Sequence, residues 1–306
     1  MINGRKRYIF NDVLPLLANG PFMTQHFIVI GNPIAHSKSP EIHAQFALQA
    51  GIDIRYQRQY CPDDAASFTA VIEAFFHGGG MGANVTVPFK QVAYDCCAAR
   101  GGLSEHAKTA GAVNTLMINE ALLQQGASIK EAIYGDNTDG QGLVNHITRL
   151  GWPLDGARVA LIGAGGAARG VILPLIQAGI GSLTIANRTV SKAVDLVDEL
   201  SAASSLIAAQ QIQTCATKDL SGTFDMIINA TSIGLSGDTL PLNEHLNCQY
   251  AYDMMYGRKL PFLQHFAARE AQTSEGYGML IGQAALSFER WTGHTIDVSK
   301  ATEALS

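Results

Sequence analysis

Charged and aromatic residues are scarce in this 306-residue chain, and so are features of specialised protein classes. Charged residues make up 15% of the chain and aromatic residues 8%, with a formal net charge of −5. The positive charges form no basic block, which argues against a nucleic-acid-binding surface. Apolar runs such as VILPLI, from Val171, are far shorter than the roughly 20 residues of a membrane span. We therefore expect a soluble protein without nucleic-acid or membrane partners.

Cysteine and histidine show no ligand-like spacing. The five cysteines are an odd number without a CxxC pair, and no secretory signal precedes them. The nine histidines include no HxxxH or HExxH pair. We expect a reducing, cytoplasmic location and no metal site.

Strand-like and helix-like segments alternate from Met23 onward, in two series joined near residue 139. In the first series, the strand HFIVIG precedes a helix that we expect to begin at Glu41. This alternation predicts an α/β fold with mostly parallel sheets covered by helices on both faces. Residues 1–22 differ in composition, and we interpret them as an N-terminal extension without an assigned function.

A dinucleotide-binding pattern opens the second series. The motif GxGxxA at residues 163–168 follows the strand RVALI and begins a helix. In this setting Gly163 permits the turn, Gly165 lets a pyrophosphate approach the backbone, and the helix N-terminus attracts phosphate. The alternative is a plain structural turn, since glycines also make those. The context favours nucleotide binding.

The end of the next strand favours NADP over NAD. An NAD site usually carries an acidic residue there for the ribose hydroxyl, but SLTIA is followed by Asn187, Arg188 and Thr189. Arg188, with Lys192 one turn later, can bind a 2′-phosphate through charge-assisted hydrogen bonds. The alternative is that Arg188 is only a solvated surface charge.

Polar residues follow the strands of the first series. Ser37 and Ser39 lie in GNPIAHSKSP, a loop stiffened by two prolines. Ligands of open α/β sheets bind beyond the carboxyl ends of strands, so these groups could meet at one polyhydroxylated molecule. The two serines could instead cap the next helix, and Asp139 could be a helix N-cap. The other polar positions of this kind are Asn84, Thr86, Lys90 and Asn114.

Eight motifs together resemble the shikimate dehydrogenase family, which includes shikimate/quinate dehydrogenases, from about Met23 to the C-terminus. In chain order they are GNPIAHSKSP, GANVTVPFK, AGAVNT, GDNTDG, GAGGAARG, NRT, NATSIG and GMLIGQAA. The resemblance implies a substrate domain at 23–138, completed by 276–306, and a Rossmann-like NADP domain at 139–275, separated by a cleft. It implies NADP-dependent reduction of 3-dehydroshikimate in aromatic amino-acid biosynthesis, by a monomer or a homodimer.

The same resemblance assigns site residues. Ser37 and Ser39 would bind the substrate carboxylate, and Lys90 and Asp139 would be the catalytic pair, with Lys90 exchanging a proton with the C3 oxygen directly or through water. The groups that would hold the ring hydroxyls, or approach them from the NADP domain, are Asn84, Thr86, Asn114, Asp139, Tyr256 and Gln283. The positions that would contact the cofactor are Gly163, Ala164, Gly165, Gly166, Ala167, Asn187, Arg188, Thr189, Lys192, Ala230, Thr231, Ser232, Gly278 and Met279, within segments that include 229–234.

The chain departs from the family pattern at two of these positions. The segment GRKLPF after Tyr256 is one residue shorter than usual, which affects the loop that carries this tyrosine. Lys192 stands where arginine is common, and a lysine grips phosphate less firmly. Two other functions remain open: a quinate/shikimate dehydrogenase that prefers NAD, which Arg188 disfavours, and a non-catalytic ligand sensor, which an intact Lys90 and Asp139 disfavour.

Overall fold

Two β-sheets, each covered by helices, account for the alternating sequence pattern. The structure is a computed structural model and describes residues 24–233 and 240–305. The extension at residues 1–22, and Gly234 of the predicted cofactor segment, lie outside the described residues. Within the described ranges, every helix is too short or too polar to cross a lipid bilayer.

The first sheet has the strand order β2-β1-β3-β4-β5. Its strands are β1 (Gln25–Gly31), β2 (Ile54–Tyr60), β3 (Gly82–Val85), β4 (Thr115–Ile118) and β5 (Ile133–Asp136). β1 pairs in parallel with β2 and β3, whereas β4 is antiparallel to both of its neighbours. The sheet is therefore mixed rather than mostly parallel: four strands run in one direction, and the reversed β4 makes two of its four strand pairs antiparallel. Its helices are α1 (Ser39–Ala50), α2 (Ala65–His77), α3 (Lys90–Ala98), α4 (Glu105–Ala110), α5 (Glu120–Gln124) and α6 (Ile129–Ala132).

Helix α1 begins two residues earlier than the sequence pattern predicted. Its first helical residue is Ser39 rather than Glu41, and Pro40 lies in the first turn. Proline suits this position because its missing N–H would have no partner inside the helix. The helix ends at Ala50, and the following Gly51 has a φ of 66°, the left-handed conformation typical of a helix terminus.

The second sheet is entirely parallel and has the strand order β11-β10-β9-β6-β7-β8. Its strands are β6 (Arg158–Ile162), β7 (Ser182–Asn187), β8 (Ile212–Ala216), β9 (Gly222–Asn229), β10 (Leu246–Asp253) and β11 (Gln272–Glu275). When β6 is numbered as strand 1 and the sheet is read from its β8 edge, this is the 3-2-1-4-5-6 strand order of the dinucleotide-binding fold. The Rossmann-like prediction is confirmed. The helices that cover the sheet include α8 (Gly166–Gln177), α9 (Val190–Ala203), α10 (Ser205–Ala208) and α11 (Pro261–Ala267).

Three further helices join and complete the two halves: α7 (Asp139–Arg149), α12 (Tyr277–Thr292) and α13 (Val298–Leu305). α12 packs against α7 and α1. Its Trp291 stacks on Phe27 of β1 at 5.1 Å between ring centroids and donates its indole N–H to the Leu116 carbonyl at 3.0 Å. The last helices of the chain therefore complete the core of the first half.

Candidate active site

A cavity of about 290 Å³ lies between the two sheets, and most of the residues that line it are polar. All nine positions predicted to contact the substrate line it, namely Ser37, Ser39, Asn84, Thr86, Lys90, Asn114, Asp139, Tyr256 and Gln283. They come from both halves of the molecule and are separated by up to 246 residues in the chain. Residues that no sequence motif had singled out for substrate also line it, including His36, Lys38, Met254 and Leu280.

Lys90 and Asp139 meet across this cavity. Each stands at the first position of a helix, α3 and α7 respectively, so the two helix starts bring them together. The Lys90 Nζ donates to Asp139 Oδ2 at 2.6 Å, and the two side chains are 32% and 26% exposed. Asp139 is the first helical residue and Thr138 the N-cap, so the capping alternative does not account for this carboxylate.

Asn114 holds the other oxygen of that carboxylate. Its Nδ2 donates to Asp139 Oδ1 at 2.8 Å and also lies within hydrogen-bond distance of Gln283 Oε1. Its Oδ1 accepts from the Thr138 backbone N–H at 2.9 Å. Both ends of this buried amide are therefore engaged, which fixes the orientation of Asp139 relative to the cavity.

Asn84 makes a second buried network under the cavity floor. Its Oδ1 accepts from the Tyr56 hydroxyl at 2.7 Å. Its Nδ2 donates to the Asn114 carbonyl at 3.2 Å and to Ser287 Oγ at 3.0 Å. The hydroxyl of Ser287 also contacts Thr115 Oγ1 at 2.7 Å. This network connects α12 to three strands of the first sheet.

The loop after β1 presents its two serines to the cavity. Ser37 Oγ donates to Ser39 Oγ at 3.2 Å and accepts from the Ser39 backbone N–H at 3.3 Å. The N-cap of α1 is Lys38, and no side chain makes a capping hydrogen bond there. The geometry therefore gives the serines a local turn contact rather than the predicted alternative of N-capping. Gly31 is required nearby, because a side chain there would collide with Thr86.

The loop carrying Tyr256 is held at several points despite its short sequence. The Gly257 backbone N–H donates to the Glu275 carboxylate at 3.1 Å, and the Gly276 N–H donates to the Met255 carbonyl at 2.9 Å. The rings of Tyr256 and Tyr277 lie 5.8 Å apart. Burial raises the pKa of the Tyr256 phenol, and the neighbouring Tyr277 adds to that effect. Tyr256 is thus a neutral hydroxyl at the cavity wall.

The glycine-rich turn joins β6 to α8 at the point where strand order reverses. Gly163 has a φ of 118°, which only glycine adopts readily, and its N–H donates to the Ala186 carbonyl at 2.8 Å. Side chains built at Gly165 and Gly166 would meet nothing within 4 Å, so the turn has open space in front of it. Ala168 is fully buried, as close helix-to-strand packing requires.

Several of the other predicted cofactor positions follow strands β7 and β9, which flank β6, at the same edge of the sheet as this turn. Asn187 ends β7 and donates to the Thr189 carbonyl at 2.8 Å, whereas Arg188 and Lys192 are exposed and have no ion pair among the described residues. The Thr231 N–H donates to the Asn229 amide oxygen at 3.0 Å. The remaining positions are Ala164 and Ala167 in the turn and first helical turn, Ala230 and Ser232 after β9, and Gly278 and Met279 in α12.

The predicted site residues form two adjacent groups in the structure: the substrate positions line the polar cavity, and the glycine-turn positions lie beside it. Met279 lines the polar cavity and packs against the core that contains α8, so it lies between the two groups. Residues 163–168 do not line the cavity itself. Across residues 24–233 and 240–305, no group of three His, Cys, Asp or Glu side chains could hold a metal ion.

A parallel sheet of this strand order, with a glycine turn at its switch point and a lysine–carboxylate pair in the adjoining cavity, is typical of a nicotinamide-dinucleotide dehydrogenase. Family models agree: the shikimate dehydrogenase substrate-binding domain matches residues 29–116, shikimate/quinate 5-dehydrogenase matches 145–235, and the shikimate 5′-dehydrogenase C-terminal domain matches 276–305. A shikimate dehydrogenase (NADP(+)) from Psychrobacter arcticus is 80% identical over 92% of this chain and 98% of its own length. The chain belongs to the shikimate dehydrogenase family.

Solved structures agree with this assignment. The Ael1 enzyme from Pseudomonas putida superposes with a TM-score of 0.80 at 35% identity, covering 92% of this chain and 98% of that one. Shikimate 5-dehydrogenase from Thermus thermophilus, solved in complex with NADP(H) and shikimate, gives a TM-score of 0.74 at 28% identity, with the same coverage of both chains. The two-domain α/β prediction is confirmed.

Proposed function

We propose that this chain catalyses the reversible, NADP-dependent reduction of 3-dehydroshikimate to shikimate, a step of aromatic amino-acid (chorismate) biosynthesis. The observation that carries the proposal is the contact of 2.6 Å between Lys90 Nζ and Asp139 Oδ2 inside a polar cavity next to a dinucleotide-type turn. The family assignment supports the same substrate and cofactor.

Lys90 donates the proton that the reaction needs at oxygen. Reduction of the C3 ketone adds a hydride at carbon and a proton at oxygen, and an ammonium group within reach of that oxygen supplies the proton. In the reverse direction Lys90 accepts the proton of the shikimate hydroxyl, directly or through water. Asp139 holds the ammonium in place, and Asn114 in turn holds Asp139.

The rest of the cavity binds and orients the substrate. Ser37 and Ser39 bind the carboxylate at the N-terminus of α1, where the helix dipole also favours an anion. Thr86, Gln283 and Tyr256 supply hydroxyl and amide groups for the ring hydroxyls. Asn84 and Asn114 contribute amide groups from the floor of the cavity, and these amides also hydrogen-bond protein groups. Such fixed polar groups discriminate strongly between substrates that do and do not carry the matching hydroxyl.

The residues around the glycine turn fit a dinucleotide phosphate. The open space in front of Gly165 and Gly166 leaves room at the N-terminus of α8, a 12-residue helix. Arg188 and Lys192 are exposed and available for a 2′-phosphate. When bound, NADPH supplies the hydride, and the protein orients the two reactants.

We further propose domain limits and a location. Residues 23–138 with 276–306 form the substrate domain, and 139–275 form the NADP domain. The packing of α12 and α13 on α1 supports this division. The five cysteines are all free, which fits a reducing cytoplasm.

A spectrophotometric assay of the purified protein tests the proposal. Shikimate and quinate are each paired with NADP and NAD, and dinucleotide reduction is followed. We expect the highest kcat/KM for shikimate with NADP. Preference for NAD or quinate would establish the alternative dehydrogenase, and no turnover with any pair would indicate a ligand-sensing protein.

The role of Lys90 has its own test. Lys90→Ala is expected to lower kcat by on the order of 100-fold while changing the KM for shikimate far less. Lys108→Ala is the matched control, since Lys108 is an exposed lysine of the same half that does not line the cavity. Near-normal turnover of Lys90→Ala would remove Lys90 from the chemistry.

A further inference from the structure

Arg58, on strand β2, hydrogen-bonds the backbone of the loop that carries Ser37 and Ser39, called the serine loop below. Its Nε and Nη2 both donate to the Ser37 carbonyl, at 2.9 and 2.6 Å. Nη2 also pairs with the Glu41 carboxylate in the first turn of α1, at 2.6 Å. One guanidinium therefore ties together the carbonyl of the first serine and the start of the helix that follows.

This contact differs from an ordinary surface ion pair. A guanidinium offers donors in a fixed planar fork, so two N–H groups on one carbonyl restrain its direction as well as its distance. The Ser37 N–H donates to the Ile34 carbonyl at 3.1 Å, so both sides of this residue are fixed. The side chain of Arg58 is 33% exposed and keeps part of its surface out of water.

Arg58 does not itself line the cavity. Its described polar contacts are with the Ser37 carbonyl and the Glu41 carboxylate, and Glu41 does not line the cavity either. Any effect of Arg58 on a ligand in the cavity must therefore pass through the loop. The directions of the Ser37 and Ser39 hydroxyls depend on the backbone that Arg58 holds.

We propose that Arg58 is a positioning residue for the substrate carboxylate, acting by fixing the loop of Ser37 and Ser39 through the Ser37 carbonyl. This inference rests on the proposed function, in which the two serines bind that carboxylate. Restraint before binding lowers the ordering cost that the substrate would otherwise meet. Arg58 therefore contributes to substrate binding and not to the proton or hydride transfer.

Steady-state kinetics separate these contributions. Arg58→Ala is expected to raise the KM for shikimate about tenfold, from the loss of charge-assisted hydrogen bonds that are partly screened by solvent. kcat and the KM for NADP should change less than about twofold. The matched control is Arg55→Ala, an exposed arginine on the same strand without a described partner, which should retain the parent's values. An unchanged shikimate KM in Arg58→Ala would overturn the proposal.

A mutant cycle tests whether Arg58 acts through the serines. When Ser37→Ala and Ser39→Ala are already present, adding Arg58→Ala should raise the KM less than about twofold. A full tenfold rise in that background would show that Arg58 acts by another route, and would refute the positioning role. Arg58→Lys keeps the charge but not the fork, so it should recover only part of the binding. Complete recovery would assign the effect to charge alone.

Hydrogen exchange of the free protein tests the loop independently of any substrate. The backbone N–H groups of residues 34–42 should exchange faster in Arg58→Ala than in the parent, and at the parent's rate in Arg55→Ala. Equal exchange in all three proteins would overturn the inference. If the parent fails to oxidise shikimate, the proposed function fails, and the exchange measurement still decides whether Arg58 fixes the loop.

Discussion

Acid should destabilise this protein through His43, a histidine of helix α1 that is fully buried. Its ring stacks on Tyr56 at 4.2 Å and on Trp291 at 5.5 Å, and neither ring nitrogen has a hydrogen-bond partner in the described part of the chain. Burial lowers the pKa of His43 from 6.5 to about 3, and the opposing effect of the nearby Asn84 amide is smaller. Among the described residues, no charged side chain contributes to the shift and offsets this burial.

The magnitude follows from the difference in proton binding between folded and unfolded chains. The unfolded chain takes up a proton below pH 6.5 and the folded chain only near pH 3. Stability is therefore greatest above pH 6.5 and falls by about 1.4 kcal/mol for each pH unit below it. At about pH 5, the buried His43 alone should lower the free energy of unfolding by on the order of 2 kcal/mol.

Urea unfolding at about pH 7.5 and pH 5, followed by tryptophan fluorescence, measures this loss. His43→Met has a similar volume and does not titrate, so it should lose about 2 kcal/mol less than the parent between the two pH values. Burial also lowers the pKa of His146, to about 4, so some acid sensitivity should remain in the variant. His26→Met, at an exposed histidine, is the control and should behave like the parent. Equal losses in the parent and His43→Met would refute the reasoning.

Three other substitutions test the site. Arg188→Ala should reduce the preference for NADP over NAD by about 10- to 100-fold, measured as the ratio of kcat/KM values; an unchanged ratio would reject its role at the 2′-phosphate. Tyr56→Phe removes the hydroxyl that donates to Asn84. It should lower the free energy of unfolding in urea by about 1 kcal/mol and should also lower kcat/KM for shikimate. Parent-like values in both assays would contradict this. Ser37→Ala with Ser39→Ala should raise the KM for shikimate; an unchanged KM would leave the serines without a binding role.

The sequence predicted best those features that depend on local chain geometry. The glycine turn at residues 163–168 was predictable because a close phosphate approach and a positive φ demand glycine at fixed spacing. The meeting of Lys90 and Asp139 in one cavity was predictable because both follow strands whose carboxyl ends lie at one edge of the sheet. The start of α1 was misplaced by two residues, since Pro40 lies inside its first turn rather than before it.

Contacts between distant segments could not be predicted in the same way. β2 reads as a plain alternating strand, and only the three-dimensional structure shows that Tyr56 reaches Asn84 and Arg58 reaches the serine loop. The reversal of β4 depends on its pairing with β3 and β5, which the segment AVNTLMIN does not encode locally. Ser287 could not be predicted because a single serine inside a mostly apolar helix carries no motif that points to a contact with Asn84 or Thr115.

The packing of α12 on the first half has a consequence for synthesis on the ribosome. Strand β1 emerges early, but the tryptophan that covers Phe27, and the glutamine and serine of α12 at the cavity, are translated about 260 residues later. The Rossmann-like half lies between them and can complete its own sheet first, because domains tend to fold as units during translation. The apolar face of the first half that α12 covers therefore stays exposed until the ribosome has nearly finished the chain.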